Sequence, residues 1–309
     1  DGKSLMFDLS GDNSQPIAID QPLNATTLYL MNPRSHDYTF NGKGTTGTGR
    51  IIKSMLGTAT FNADLGHTGT TLISEGTLCV NGTIAGPVEL RAKGTLAGNV
   101  TLGDTVTFEG ALNHEGCRLK PQNTITSKKS MVLPGEVYLE VDADNGQCGL
   151  LRVEGNLTLK NTNYITVNLA NKDAANYVLA QCTGTLTADV TKLKTRGLEG
   201  INYDLKVEGN QLLLIINSTR EMSDGVLWTG AESKVWDYKS ENFSVTSVAE
   251  PQQQQPTAFV PGDAVVFTDK AQQKNITLND MMVTNGVTFE SGKYVLSGEG
   301  GISGEGGVT

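Results

Sequence analysis

Apolar and polar residues alternate along short stretches of this chain, and a glycine opens many of those stretches. One phrase of this kind recurs at Gly57–Phe61, Gly76–Val80 and Gly94–Leu96, at spacings of 19 and 18 residues, and similar phrases return at Gly155–Leu159 and Gly184–Thr187. A two-residue period places the apolar side chains on one face of a strand and Thr, Asn or Lys on the other. The pattern therefore predicts many short, half-buried strands.

Turn residues separate further short apolar segments. Gly, Asn, Asp and Pro bound these segments, as expected between strands. Ala174–Leu179 is the nearest approach to a helical period, but a strand explains it better. The further predicted strands are Val100–Leu102, Val106–Phe108, Val137–Val141, Tyr164–Leu169, Tyr177–Ala180 and Leu205–Val207.

A near-constant interval of about 20 residues between the glycine phrases favours a stacked β-solenoid over a sandwich or a barrel, which also use many short strands. In a solenoid, glycines would serve corners that need a positive φ or a close backbone approach. Asn81, Asn99 and Asn156 each lie beside a glycine. We hypothesise that their side chains bond to neighbouring coils; the alternative is a solvated turn.

The stretch Gly57–Gly98, with its phrases Gly69–Ile73, Glu75–Leu78 and Asn81–Ile84, resembles the autotransporter-associated β-strand repeat of bacterial secreted and surface proteins. The resemblance extends over roughly residues 50–216. It implies an all-β fold, a right-handed parallel β-helix (β-solenoid), and location outside a Gram-negative-type cell, either secreted or on the outer surface. The downstream segments that resemble the passenger region following such repeats are Leu119–Pro121, Gly155–Leu159, Tyr177–Leu179, Tyr203–Leu205 and Gly209–Leu214.

The regularly spaced glycine phrases are absent from residues 223–262. Both tryptophans lie here, in Trp228–Gly230 and Trp236–Tyr238, and the polar tract Pro251–Pro256 predicts a loop. The tryptophan-containing opening and the Pro-Gly-Asp that follows resemble the segment that introduces such repeat modules.

Strands resume after this interruption, and their sequence repeats the beginning of the chain. Val266–Asp269 matches Met6–Asp8 at an offset of 260 residues, and Ile276–Leu278 matches Ile17–Ile19 at an offset of 259. A third match follows at an offset of 256 residues, between Tyr294–Gly300 and Tyr38–Gly44. We therefore expect a β-helical, passenger-like unit over 1–222. A tryptophan-containing junction and the start of a second β-helical unit should follow over 223–309, within a longer protein.

Composition narrows the possible functions. The 309 residues include 36 Gly, only 57 charged residues and a net charge of −9, while 38% are hydrophobic. This composition argues against disorder and collagen. Nucleic acids and anionic membranes bind to basic patches. This chain is acidic overall, and its densest basic segment is the single pair Lys128–Lys129, so neither partner is expected. No apolar run is long enough for a membrane span. The sequence opens at Asp1 with no charged-then-apolar leader, so we expect either that a signal peptide has been removed or that the chain is a piece of a longer protein.

Residues that could carry chemistry are scattered. His36, His67 and His114 fall in no zinc-protease or hydrolase motif, and no paired carboxylates of a glycoside hydrolase appear. Asp142–Asn145 alternates oxygen ligands but lacks the glycine and distal glutamate of a calcium loop, which favours a turn. We expect no catalytic residue, metal or cofactor. The four cysteines, either thiols or bridged, are Cys79, Cys117, Cys148 and Cys182.

Two groups of residues are candidates for ligand binding. Trp228, Trp236 and Tyr238 could stack on sugar rings, or they could form a hydrophobic plug at the junction. Arg34 and His36 belong to the most polar cluster, and the sequence predicts that this cluster lies in a solvated loop between strands.

The sequence thus predicts a non-enzymatic, exported stalk or adhesin-type module that displays or holds partners at a bacterial surface. Those partners could be glycans, host or cell-surface molecules, or other domains of a longer chain. The alternative is a carbohydrate-binding accessory module, or a β-helical polysaccharide lyase or hydrolase. An enzyme should show a groove lined by several acidic residues and a basic residue on consecutive coils.

Overall fold

The computed structural model describes residues 2–109, 116–171, 174–198, 201–217, 221–246 and 254–309. These residues are nearly all β, with parallel sheets; one 3-10 turn spans Val190–Lys192 and no α-helix occurs among them. The chain divides into two compact units. Unit 1 comprises Asp1–Asn171, Ala175–Gly197 and Leu205–Ile215, and unit 2 comprises Lys172–Ala174, Leu198–Asp204 and Ile216–Thr309.

The strands are short, and most contain three to six residues. The first twelve are β1 (Leu5–Phe7), β2 (Ile17–Ile19), β3 (Thr27–Met31), β4 (Tyr38–Gly42), β5 (Arg50–Ser54), β6 (Thr58–Asn62), β7 (Thr71–Ile73), β8 (Gly76–Ile84), β9 (Val88–Leu90), β10 (Gly94–Leu102), β11 (Val106–Phe108) and β12 (Arg118–Ser127). The next are β13 (Met131–Leu133), β14 (Tyr138–Asp144), β15 (Gln147–Cys148), β16 (Leu150–Val153), β17 (Leu157–Leu159), β18 (Tyr164–Leu169), β19 (Ala175–Cys182), β20 (Leu186–Ala188), β21 (Lys194–Arg196), β22 (Tyr203–Glu208) and β23 (Gln211–Ile216). The remainder are β24 (Val226–Trp228), β25 (Phe243–Thr246), β26 (Gln254–Thr257), β27 (Ala264–Phe267), β28 (Asn275–Thr277), β29 (Met281–Val283), β30 (Gly286–Phe289), β31 (Val295–Ser297) and β32 (Gly301–Ser303).

The first twelve strands of unit 1 alternate between two sheets, and each of β1 to β10 pairs in parallel with the strand two positions further along. One sheet runs β1-β3-β5-β7-β9-β11, and another begins β2-β4-β6-β8-β10-β12. A third row of parallel bridges and strand ends completes the pattern. The residues in register along this third row are Leu23, Thr45, Leu65, Ile84, Leu102, Ser127, Val153 and Cys182.

Strand β12 divides the second sheet into two branches. Its first residues, Arg118 and Leu119, pair with β14, and that branch continues through β18 to β21. Its last residues, Thr124–Ser127, pair with β16, and this branch continues to β19 and β23. A separate sheet, β13-β17-β20, follows the third-row residues Ser127, Val153 and Cys182 in the chain, as strands of the first sheet follow the earlier third-row residues. The chain thus still passes through three rows of parallel strands in a fixed order.

The strand predictions are confirmed. All six further segments predicted above lie within or overlap strands, namely β10, β11, β14, β18, β19 and β22, and most of Ala174–Leu179 is strand rather than helix. One loop prediction is wrong: the last three residues of the polar tract, Gln254–Pro256, lie in β26, which pairs antiparallel with β25. Backbone pairing there outweighs the low strand propensity of glutamine and proline. The rest of the tract, 251–253, lies outside the described residues.

Apolar side chains stack in register inside unit 1. Phe40 and Phe61 face each other across β4 and β6, with ring centroids 4.3 Å apart and planes 11° apart. A second buried row is aliphatic and contains Leu78, Leu96, Leu119, Leu139 and Ile165. Each fully buried side chain of this kind contributes about 1.5–3 kcal/mol through removal from water, so such rows are the main source of stability.

Unit 2 repeats the strand pairing of the chain's beginning. Strands β27 and β30 pair as β1 and β3 do, with Phe267 opposite Phe289 where Phe7 lies opposite Leu30. Strands β28 and β31 likewise pair in the register of β2 and β4. The repeat that the sequence indicated is therefore present in three dimensions.

Two details show that the repeat extends to individual residues. The hydroxyl of Tyr38 donates to the carbonyl oxygen of Asp8, and the hydroxyl of Tyr294 donates to that of Thr268. Gly42 has a φ of 114° and its counterpart Gly298 a φ of 124°, and a Cβ at either position would overlap a backbone carbonyl of the neighbouring strand. This conformation and this close approach both require glycine.

An asparagine ladder runs along the outside of the second sheet. The Asn62 side-chain amide donates to Asn41 Oδ1 at 2.8 Å, and that of Asn81 donates to Asn62 Oδ1 at 2.7 Å. Asn81 Oδ1 then accepts from the backbone N–H of Asn99 at 3.1 Å. Successive strands are thereby joined by side chains as well as by backbone.

Asn156 makes the same kind of link further along unit 1. Its Oδ1 accepts from the backbone N–H of Thr185 at 2.9 Å, and its own N–H donates to Ser130 Oγ at 3.0 Å. The hypothesis that these asparagine side chains bond to neighbouring strands is therefore confirmed for Asn81 and Asn156, whereas Asn99 takes part through its backbone N–H.

We expect Asn62→Ala and Asn81→Ala each to lower the free energy of unfolding by about 1 kcal/mol, because each removes two exposed side-chain hydrogen bonds. The double variant should lose less than the sum, since the two residues share one bond. Urea unfolding measures both effects. Asn161→Ala, an exposed asparagine outside the ladder, is the matched control and should change stability by less than about 0.5 kcal/mol. Equal losses in all three single variants would contradict a role for the ladder.

Candidate functional site

A row of cationic and aromatic side chains crosses the second sheet of unit 1. Arg118, Tyr138, Tyr164 and Lys194 occupy equivalent positions in β12, β14, β18 and β21. Their neighbours in sequence include Leu119, which is buried in the core. Because side chains alternate across a strand, this row lies on the side of the sheet opposite Leu119; its two tyrosines are buried there, whereas Lys194 is exposed.

The two tyrosines of this row stack on each other and are covered by cations. Their ring centroids are 4.4 Å apart and their planes 6° apart. The Arg118 guanidinium lies 4.3 Å from the Tyr138 centroid, and the Arg196 guanidinium lies 4.5 Å from that of Tyr164 and 5.2 Å from that of Tyr138. Lys194 Nζ lies 5.1 Å from the Tyr164 centroid. Cation–π contacts of this kind are worth about 0.5–1 kcal/mol each at exposed sites.

Positive charge exceeds negative charge around the stack. Glu140 pairs with Lys120 at 2.6 Å and with Arg118 at 3.4 Å. Within the described residues, no carboxylate lies within 4.0 Å of Lys194 Nζ or of the Arg196 guanidinium. These two side chains are exposed, so they can reach an anionic ligand.

A groove of about 340 Å³ adjoins this row. Arg118 borders it, together with Arg34, Lys93, Glu75 and Thr95. Arg34, which the sequence indicated as a candidate, is therefore on the same surface as Arg118. We call this set the tyrosine–cation surface: Arg34, Lys93, Arg118, Lys120, Tyr138, Tyr164, Lys194 and Arg196.

This surface can bind anions through charge-assisted hydrogen bonds, for which arginine offers a planar pair of donors. It offers little to a neutral sugar, because Tyr138 and Tyr164 are 1% and 7% exposed and their faces are already occupied. The sequence analysis missed the surface and took Lys128–Lys129 as the densest basic pair. Arg118, Tyr138, Tyr164 and Lys194 are far apart in the chain and unequally spaced, so only their strand register reveals the cluster.

The tryptophans do not form a sugar-stacking platform. Trp228 and Trp236 are 1% and 0% exposed, and Tyr238 is also buried. Trp236 packs edge-on against Phe259 and Phe267, with centroids 5.3 and 5.7 Å apart. Of the two roles that the sequence left open, the exposed sugar-binding platform is therefore wrong, and burial favours the hydrophobic role: the rings belong to the core of unit 2.

His36 also has a structural role. Its Nε2 lies 2.6 Å from the carbonyl oxygen of Gly11, and its ring meets Tyr38 edge-on at 5.2 Å. It lies between β3 and β4, in the connection that the sequence predicted, and holds that connection against the preceding loop. His114 lies outside the described residues.

The oxygen-rich segment at Asp142–Asn145 leads into a hairpin turn between β14 and β15. Asn145 has a φ of 46° and Gly146 a φ of 76°, as a tight two-residue hairpin turn requires. Asp142 accepts from the Asn168 amide at 2.7 Å, so its carboxylate links two strands. In the described residues, no group of three His, Cys, Asp or Glu side chains could hold a metal ion.

The cysteines are single thiols, since none of the four takes part in a disulfide. Burial raises the pKa of Cys117 and of Cys148 to about 11, and it also raises the pKa of Cys79. These thiols are therefore protonated at neutral pH and are poor nucleophiles.

No helix in the described part of the chain has the length and apolarity needed to cross a membrane.

No family model matches the chain, and no curated protein matches it significantly.

Lys53 and His67 are basic side chains buried inside unit 1. Lys53 lies in an interior row between Leu30 and Ile73, and its ammonium donates to the carbonyl oxygens of Ser54 at 2.9 Å and Met55 at 2.6 Å. Burial lowers its pKa to about 8. The carbonyls at the strand end provide the polar partners that an enclosed ammonium needs.

His67 is the second enclosed group. Its Nδ1 lies 2.9 Å from Thr45 Oγ1 and its Nε2 lies 2.9 Å from Thr71 Oγ1, so the ring joins two rows through hydroxyl groups. Burial lowers its pKa to about 4. The imidazole is thus neutral at pH 7 and serves as one donor and one acceptor.

We expect acid to destabilise the protein partly through His67. As pH falls from 6.5 to 4, the unfolded chain protonates this histidine while the folded chain keeps it neutral, so protonation favours unfolding. Between pH 7 and 4.5 the wild type should lose roughly 2–3 kcal/mol more than His67→Gln, from the 1.36 kcal/mol that each pKa unit represents. Urea unfolding at several pH values gives the two slopes. Parallel slopes would contradict a buried neutral imidazole.

Proposed function

We propose that unit 1 is a right-handed parallel β-helix and that the chain is a non-enzymatic display module of the stalk or adhesin type, exported to a bacterial surface. The observation that carries this proposal is the unbroken parallel register of the third row, from Leu23 to Cys182. Three rows visited in a fixed order suit a helical stack of coils. Right-handed crossovers between parallel strands are strongly favoured, which supports the proposed hand.

Such a stack suits a display role because its stability comes from neighbouring coils and leaves the outer faces open to variation. The asparagine ladder and the threonines of β6, β8 and β10 occupy one such face. Export to a bacterial surface is supported by the resemblance of Gly57–Gly98 to the autotransporter-associated repeat.

The chain should cleave no polysaccharide. We would incubate it with pectic and host glycans, with and without calcium, and measure new reducing ends and unsaturated products. A pectate lyase and a polygalacturonase serve as positive controls. No product above the boiled-protein background is expected, and cleavage that co-purifies with the folded chain would overturn the non-enzymatic proposal.

A second function, recognition of acidic glycans, is supported by the tyrosine–cation surface. Arg118 and Arg196 are held in place by Tyr138 and Tyr164, so less side-chain entropy is lost when they bind. Their guanidinium groups can pair with carboxylates or sulfates along a polymer. This surface fits uronate-rich or sulfated chains better than neutral ones.

Binding of polygalacturonate or heparin should weaken roughly 10- to 100-fold in Arg118→Gln/Arg196→Gln, since charge-assisted hydrogen bonds contribute about 1.5–3 kcal/mol. Lys128→Gln/Lys129→Gln removes the same charge elsewhere and is the matched control, expected to change binding less than 3-fold. Calorimetric titration at two salt concentrations, with neutral dextran as a negative ligand, measures the effect. Equal losses in both double variants would show that net charge, and not this surface, governs binding.

A further inference from the structure

A pocket of about 230 Å³ opens on unit 2, and all of its lining residues belong to that unit. Sites for drug-sized ligands usually measure about 300–1,000 Å³, so this pocket suits a group no larger than one side chain and the backbone beside it. Exposed polar residues complete the lining. Its apolar and aromatic walls are formed by Ile201, Tyr203, Val235, Trp236, Tyr238 and Met282.

One wall of the pocket contains a hydrogen-bond donor without an acceptor. The Trp236 side chain is 0% exposed, and its Nε1 is buried and has no hydrogen-bond partner within the described residues. The other tryptophan differs, because Trp228 Nε1 donates to the carbonyl oxygen of Gln273 at 2.7 Å. Buried polar groups are nearly always paired. An occupant of the pocket that carries an acceptor oxygen would give Trp236 its missing partner.

The charge of the lining favours a cation. Asp280 Oδ1 accepts from the backbone N–H of Met281 at 2.7 Å, and no cationic side chain of the described residues lies within 4.0 Å of the Asp280 carboxylate. Asp237 adds a second negative charge to the lining. The basic residue Lys239 also lines the pocket, but it pairs with Asp204. The pocket is therefore complementary to a positively charged ligand.

An ammonium group is already held on this surface by the protein itself. Lys239 Nζ pairs with Asp204 and lies 5.8 Å from the ring centroid of Tyr203, so a carboxylate and an aromatic ring hold it together. The same two kinds of group, the Asp280 carboxylate and the ring of Tyr238, lie on the pocket for a second ammonium group.

We propose that the pocket of unit 2 binds a lysine residue of a peptide. Its ammonium pairs with Asp280, its apolar stem packs along Val235 and Met282, and its backbone carbonyl accepts from the Trp236 N–H. Long aliphatic stems of this kind pack readily against apolar walls while the charged end stays in water. Arginine suits the pocket less well, because its planar fork needs two carboxylate oxygens and Asp280 Oδ1 is already bonded.

Two-dimensional NMR of the nitrogen-labelled full chain tests this proposal, since each tryptophan gives its own indole N–H signal. Nuclear Overhauser contacts assign the two signals, and Nα-acetyl-lysine methylamide is the ligand. We expect the Trp236 signal to move downfield and saturate as its N–H gains an acceptor, while the Trp228 signal stays in place. The Nε-acetylated ligand lacks the charge and butylamine lacks the carbonyl, so each should bind at least about 10-fold more weakly.

Two variants separate the pocket from the net charge of the chain. Asp280→Asn keeps the side-chain size and should weaken binding at least about 10-fold, as expected for the loss of a charge-assisted bond. Asp224→Asn removes the same charge from an exposed residue of unit 2 outside the pocket, and it should change binding less than about 3-fold. The backbone amide spectrum shows that each variant is folded.

A Trp236 signal that does not move with the lysine ligand would overturn the proposal. So would equal binding of the Nε-acetylated ligand, or equal losses in Asp280→Asn and Asp224→Asn. None of these outcomes depends on the recognition of acidic glycans by unit 1, which the Arg118→Gln/Arg196→Gln variant tests separately.

Discussion

Parallel hydrogen bonding between neighbouring strands of each sheet determines where the side chains of the unit 1 strands lie. Because the register carries each residue onto its counterpart one strand away, like side chains meet: Phe40 on Phe61, Asn62 on Asn81, and Tyr138 on Tyr164. Inside, this repetition produces apolar rows that exclude water. Outside, the same repetition aligns amides and cations. The same strand register therefore produces both the apolar core and the row of side chains at the candidate site.

The register also determines what an unusual residue must find nearby. Lys53 enters an apolar row, and the carbonyl oxygens of Ser54 and Met55 at the strand end satisfy its ammonium. His67 is enclosed with hydroxyl groups from two rows. Lys53 finds its partners at the end of its own strand and His67 finds them on two rows, because a buried polar group without a partner would cost stability.

Much of the fold could be predicted from sequence because alternation and glycine spacing are local signals. The strands, the return of the chain's opening sequence near its end, and the bonding of Asn81 all followed from such signals. The tyrosine–cation surface could not be predicted in this way, because Arg118 and Lys194 become neighbours only after several unequal intervals and a strand register are known. The sequence left two roles open for the tryptophans, an exposed platform or a hydrophobic plug, because composition near a turn does not reveal burial; their burial favours the hydrophobic role.

The hairpin at β14 and β15 has a consequence for how this chain can vary in length. The intervals along the row from Arg118 to Lys194 lengthen from one strand to the next, yet the paired strands keep their register. The hairpin and the connections between rows absorb the added residues. Insertions and deletions during evolution should therefore accumulate at such corners, and the turn at Asn145–Gly146 is a suitable position for grafting a foreign peptide.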